Sequence, residues 1–254
     1  MNENLLKKFD IILASQSPRR RELLGRTGLS FAIRPASDRE VTEETEPAKI
    51  VEALAAHKAN EVYGKLLGER SLENVLAEAS PVSCGTPSRP LFVIGADTVV
   101  VINGQILGKP ESPEHAAEML RMLSGAQHEV LTGVCLIREE PGAGKSGEEE
   151  TGAQGGAGKI TVRTHIFHEC TKVFFRSLTE EEIASYIASG EPMDKAGAYG
   201  IQGLAGVFVD HIEGDYDNVV GFPLTRILGE AEAFLAEPSA PAASTEASAA
   251  PGEA

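Results

Sequence analysis

One acidic residue, Asp97, stands inside the apolar run FVIGADTVVVI. A carboxylate among Val and Ile is costly to bury unless it meets a cation, holds a metal or acts as a base, so this position needs a chemical explanation. An Asp hydrogen-bonded to backbone at a bulge is the plainer alternative. Lys58 raises the same question from a helix. Val51, Leu54, Ala55, Lys58 and Val62 recur at three- and four-residue spacing, which puts the ammonium on the apolar stripe. A lysine that snorkels out at the edge of a core is the ordinary alternative.

Ser15-Gln16-Ser17-Pro18-Arg19-Arg20-Arg21 stands where a strand gives way to a helix, with Ser17 as cap and Pro18 at the first helical position. Free N–H groups at the helix start, two hydroxyls and neighbouring arginines suit a phosphate cradle; a simple cap with solvated arginines has the same pattern. Lys109, in ILGKP, reads alone as a loop lysine. Glu40, in SDREVTEE, is either part of a solvated acidic loop or a second carboxylate helping Asp97 hold a hard divalent cation. Mg²⁺ suits the second reading, since it takes roughly one or two protein carboxylates plus substrate oxygens. The glycine-rich DKAGAYGIQGLAG, 194–206, lets a flat ligand approach backbone, with Gln202 offering donor and acceptor, or is a flexible loop without a ligand.

Several chemistries find no support. The six histidines include no HExxH, and neither a GxSxG elbow nor a GxxxxGK[ST] loop occurs. The three cysteines (Cys84, Cys135, Cys170) are far apart and lack CxxC spacing, which points away from zinc and from a disulfide framework. A formal charge of −15 argues against a nucleic-acid surface, although local Lys and Arg can still converge on a small polyanion. No apolar stretch is long enough for a membrane span, and MNENLLKKFD runs straight into IILA with no evident signal peptide. The expectation is a cytoplasmic protein without nucleic-acid or membrane partners.

These residues need a frame, and the chain of 254 residues, 42% hydrophobic, can build a real core. FDIILA predicts a buried strand, Pro47 to Gly64 a helix, and LFVIGADTVVVI a strand turning at Asn103-Gly104 into QIL. Ser112-Pro113 opens another helix. Residues 128–137 and 159–175 read as strands, and Thr179 with Glu182 as a capping box for EEEIASYIAS. A hairpin is expected around Glu213-Gly214-Asp215, then a final helix from about Pro223 to Leu235. Interleaved strands and helices with long hairpins predict an α/β fold around an elongated mixed sheet. One domain is expected over 1–236, with solvated loop insertions at 69–90, where ENVLAEA could instead extend the preceding helix, and at 139–158, and a low-complexity tail over 237–254.

Taken in order, ASQSPRRRELL, the Glu40 region, Lys58, GADTVV, LGKP, MLRMLSG, DKAGAYGIQG and VVGFPL resemble the Maf family of nucleoside triphosphate pyrophosphatases over about residues 10–230. The resemblance implies two lobes around a central cleft, metal-dependent hydrolysis of a nucleoside triphosphate to monophosphate and pyrophosphate, and frequent homodimers. It implies Asp97 as catalytic base, Ser15, Arg20, Lys58, Lys109 and Lys195 around the triphosphate, and Glu40 with Asp97 near Mg²⁺ or Mn²⁺. Arg19, Thr98 and Gln202 match the subgroup that prefers dTTP and UTP. The alternatives are a pyrophosphatase for 7-methyl-GTP or another modified nucleotide, and a nucleotide-binding regulator of septum formation without turnover.

Overall fold

The computed structural model describes residues 5–38, 41–78, 89–140 and 161–237, with backbone only for 71–78. Glu40, residues 79–88 and 141–158 of the two expected insertions and the tail from 238 onward lie outside the described residues.

The chain begins with β1 (Asp10–Ala14), α1 (Pro18–Gly25) and β2 (Phe31–Ile33), followed by the long α2 (Pro47–Glu78) and β3 (Leu91–Ile102). Then come β4 (Gln105–Leu107), α3 (Pro113–Leu123), β5 (Gln127–Glu140), β6 (Thr161–Phe175) and α4 (Glu180–Ala188). Three 3-10 turns between Glu191 and Phe208 lead to β7 (Val209–Glu213), α5 (Tyr216–Val220) and α6 (Leu224–Ala236). The seven strands form one mixed sheet in the order β2-β1-β3-β5-β6-β7, with β4 paired to β3. β1 is parallel to both β2 and β3, and the other pairings are antiparallel.

Alternation along β3 decides what each face meets. Phe92, Ile94 and Ala96 pack with Leu23 and Leu24 of α1 and with Phe222, Ile227 and Phe234 on or beside α6. Val93 packs with Ala55, Ala59 and Val62 of α2 on the opposite face. Asp97 is therefore on the face of α2, and Thr98 on the face of α1. α2 can lie close to the sheet because Gly95 and Gly133 carry no side chain. A Cβ on Gly95 would stand 2.5 Å from Ala55 O, and one on Gly133 would overlap the Val51 carbonyl.

Two lobes share the long strands. The apolar clusters of α1, α2 and α6 gather around the first half of β3, whereas Val100 and Ile102 belong to a third cluster with α3, α4 and Tyr199. Since α1 and α2 cover opposite faces and β1 lies between β2 and β3, the carboxyl end of β1 is a topological switch point, where open α/β sheets form crevices.

Two expectations are corrected, and α2 takes the longer form that ENVLAEA allowed. It continues past Gly64 and Gly68 to Glu78, through the first part of the 69–90 segment. A mid-helix glycine costs about 1 kcal/mol, and here Tyr63, Leu66 and Leu67 pack on the sheet while Arg70 reaches Glu139 at 2.9 Å. β5 likewise continues through Glu140, so Glu139 and Glu140 are not loop residues. Glu139 is buried but accepts from Arg70, Tyr63 and the Leu91 N–H, and Glu140 pairs with Arg138. Finally, Gly214 does not turn a hairpin. It adopts φ 130° and leads to Asp215, which caps α5 by accepting from the Asp217 N–H at 2.8 Å. β2 and α5 are too short to have left a pattern in the sequence.

Candidate active site

Ser17 caps α1, accepting from the Arg20 N–H at 3.5 Å, and Pro18 takes the first helical turn. The Ser17 N–H donates to Ser15 Oγ at 3.2 Å, which folds the turn back over the end of β1. Arg20 then crosses to three other segments. Its Nε donates to Gly221 O at 2.8 Å, Nη1 to Ala96 O at 2.7 Å and Ser15 Oγ at 3.4 Å, and Nη2 to Thr98 Oγ1 at 2.9 Å. Ala96 and Thr98 flank Asp97, so this guanidinium grips β3 on both sides of the expected base. Thr98 Oγ1 also lies 3.0 Å from Thr132 Oγ1, and the buried Thr132 bonds Asn218 O at 3.3 Å.

On the other face, Lys58 Nζ donates to Asp97 Oδ1 at 2.6 Å. The helical stripe and the isolated carboxylate thus resolve into one ion pair, set where the face of α2 meets the middle of β3.

A cavity of about 720 Å³ opens between the lobes. Ser15, Arg19, Arg20, Lys58, Asp97, Thr98, Lys109, Lys195 and Gln202 all line it, although they come from segments nearly 190 residues apart. The glycine-rich segment is tied to the lysine loop by Gly197 N–H to Gly108 O at 3.0 Å, which brings Lys109 and Lys195 to one wall. Lys195 Nζ donates to Glu191 O and to Asp194 Oδ1, each at 2.6 Å. Burial opposes ionisation of Asp194, but the Lys195 hydrogen bond and the charges of Lys195 and Arg19 prevail and hold its carboxyl below the ordinary aspartate range.

Glu191, Asp194 and Tyr199 line the same cavity and went unnoticed in the sequence. Tyr199 sits beneath the glycine-rich segment, its hydroxyl 2.7 Å from Nε2 of the buried His128. The signal available for it was slight, a single aromatic among glycines.

The donor set suits a hard divalent cation. Asp97 and Asp194 offer carboxylate oxygens to a cavity that five cationic side chains also enter. No group of three or more His, Cys, Asp or Glu side chains able to hold a metal occurs among the described residues.

A mixed α/β sheet with a cation-lined cleft at the carboxyl end of a switch-point strand defines a two-lobed protein whose cavity favours an anionic ligand. The chain matches the family model described as Maf-like protein over residues 10–234. It is 45% identical over 222 residues to a dTTP/UTP pyrophosphatase of Agathobacter rectalis, covering 87% of this chain and 95% of that protein. Identity to the dTTP/UTP pyrophosphatase of a Geobacillus species is 47% over 221 residues, with the same coverage of 87% and 95%. Identity to that of Thermococcus onnurineus is 45% over 214 residues, covering 84% and 92%. The chain belongs to the Maf family. Among the described residues no helix is long and apolar enough to cross a membrane.

Proposed function

We propose that this protein hydrolyses dTTP and UTP to the monophosphate and pyrophosphate. The single observation that carries the reading is the convergence of Asp97, the lysines and the serine-arginine turn on one cleft. The names of the relatives support the same substrates.

The chain's own residues account for the steps. Lys58 holds the Asp97 carboxylate in a fixed orientation on β3. That carboxylate takes a proton from a water as the water oxygen bonds the α-phosphorus, and the bond from the α-phosphorus to the bridging oxygen of the β-phosphate breaks, with pyrophosphate leaving. Lys109, Lys195 and Arg19 face the phosphate charge, and the α1 N-terminus with Ser15 adds neutral donors. A divalent cation held by Asp97, with Asp194 within the same cavity and Glu40 as a further expected ligand, would neutralise charge on the leaving group. Gln202, exposed on the cleft wall, has the amide donor and acceptor that an imide edge of thymine or uracil requires.

A panel of canonical and modified nucleoside triphosphates, scored for pyrophosphate rather than orthophosphate, tests this. Selective pyrophosphate release from dTTP and UTP is expected. Preference for 7-methyl-GTP would displace the substrate assignment, and nucleotide binding with no release would favour a regulator.

A further inference from the structure

Glu191 is out of place by charge. It lies in the cavity with Arg19, Arg20, Lys58, Lys109 and Lys195, where a carboxylate repels the polyanion that those cations attract. Both of its oxygens accept from protein donors. Oε1 accepts from Tyr186 Oη at 3.0 Å, and Oε2 accepts from the Leu204 N–H at 3.1 Å.

The Leu204 contact bears on Gln202. Residues 200–203 form a turn closed by Gly203 N–H to Gly200 O at 3.0 Å, with Gln202 at its tip. Gly203 packs directly against Glu191, and a Cβ there would overlap the carboxylate. On the other side, Tyr186 is a buried residue of α4. Burial and the Glu191 charge push its phenol well above the ordinary value, so it stays a donor. The Glu191 N–H donates to Ser189 Oγ at 3.2 Å, fixing the start of the segment. A continuous path of hydrogen bonds runs from the α4 core through one carboxylate to the turn that carries Gln202.

We propose that Glu191 is a positioning residue that locks the Gln202 turn against the cleft and thereby sets nucleobase selectivity. This rests on the pyrimidine triphosphate reading above. The carboxylate acts through backbone and does not touch the nucleotide, so its loss should alter discrimination between bases and leave phosphate recognition intact.

The test uses the full chain and four single changes: Glu191→Ala, Glu191→Gln, Tyr186→Phe and Gly203→Ala. Binding of dTTP, dGTP and inorganic pyrophosphate is measured by calorimetry with Mg²⁺ in an Asp97→Asn background, and KM and kcat for both nucleotides without that change. Glu191→Ala and Gly203→Ala should each lower the preference for dTTP over dGTP by about tenfold, the scale of one lost hydrogen bond to a charged group. Pyrophosphate affinity should hold in both. Glu191→Gln keeps an acceptor oxygen and should retain most of the preference. The Glu191→Ala/Gly203→Ala double variant should be no worse than either alone, because both act through one contact. Unchanged preference in Glu191→Ala, or losses that multiply in the double variant, overturns the proposal. Weakened Mn²⁺ binding by Glu191→Ala overturns it too, since that marks a metal ligand. If Glu191→Ala fails to melt cooperatively, Tyr186→Phe and Gly203→Ala decide the matter from either end of the contact. Wild-type protein that prefers dTTP in binding yet releases no pyrophosphate refutes the hydrolase reading and leaves this one standing.

Discussion

Lys58 Nζ and Asp97 Oδ1 are 2.6 Å apart, with each side chain 13% exposed. The pair joins α2 to the middle of β3 at the floor of the cleft. Charges this sheltered depend on each other, since removing Lys58 takes its cation away from the Asp97 carboxylate in a poorly solvated place. Lys58→Met should therefore destabilise the fold by about 1–3 kcal/mol, the cost of an uncompensated polar group. Adding Asp97→Asn should restore part of that loss. Denaturant midpoints of the two single variants and the double variant measure it, and strict additivity would mean that the pair is not coupled.

Arg20 makes a different prediction from a phosphate ligand. Its guanidinium bonds Ala96 O and Thr98 Oγ1 on either side of Asp97, and Gly221 O beyond. Lysine keeps the charge but cannot make this fork. Arg20→Lys should lower kcat about 10²-fold through misplacement of the base, with little change in inhibition by pyrophosphate. A large rise in the pyrophosphate inhibition constant at near-normal kcat would show direct phosphate contact instead.

Gly133 matters because α2 rests on it. A Cβ would overlap the Val51 carbonyl, and helix backbone yields less readily than a side chain. Gly133→Ala should cost about 1–3 kcal/mol of stability, as overpacking does. It should also reduce activity, since the same helix carries Lys58. Wild-type stability in this variant would be incompatible with the close approach of α2 to the sheet.

His128 gives the protein an acid-side slope. Its ring is buried against Tyr199 and Phe175, and burial lowers its pKa from 6.5 to about 4. Between those values the unfolded chain binds a proton that the folded chain refuses, so stability falls as pH drops from 6.5 toward 4 and levels off below. His128→Gln should flatten the melting temperature profile across that window, whatever its effect at neutral pH. A slope identical to wild type would mean that the ring is not held neutral.

Much of the frame was legible because long amphipathic or apolar elements carry a period. The stripe containing Lys58 and the run around Asp97 predicted α2 and β3, and Ser17, Ser112 and Thr179 marked helix starts that the structure confirms through their hydrogen bonds. The pairing of Lys58 with Asp97 was not visible, because register between helix and sheet is set by the glycines beneath α2, and a glycine signals its reason only once a neighbour is known. Glu139 looked like the start of a solvated insertion since its partners, Arg70 and the Leu91 N–H, are distant in sequence. Glu191 was overlooked for the same reason: its meaning lies in Gly203 and Leu204, twelve and more residues on.

The most direct test is pyrophosphate released from dTTP in the presence of Mg²⁺, by wild type and by Asp97→Asn. Wild type should turn over, and the variant, folded by its melting transition, should lose on the order of 10²–10⁴ in rate, the contribution of a positioned base. Undiminished turnover by Asp97→Asn, or release of orthophosphate in place of pyrophosphate, would contradict the account.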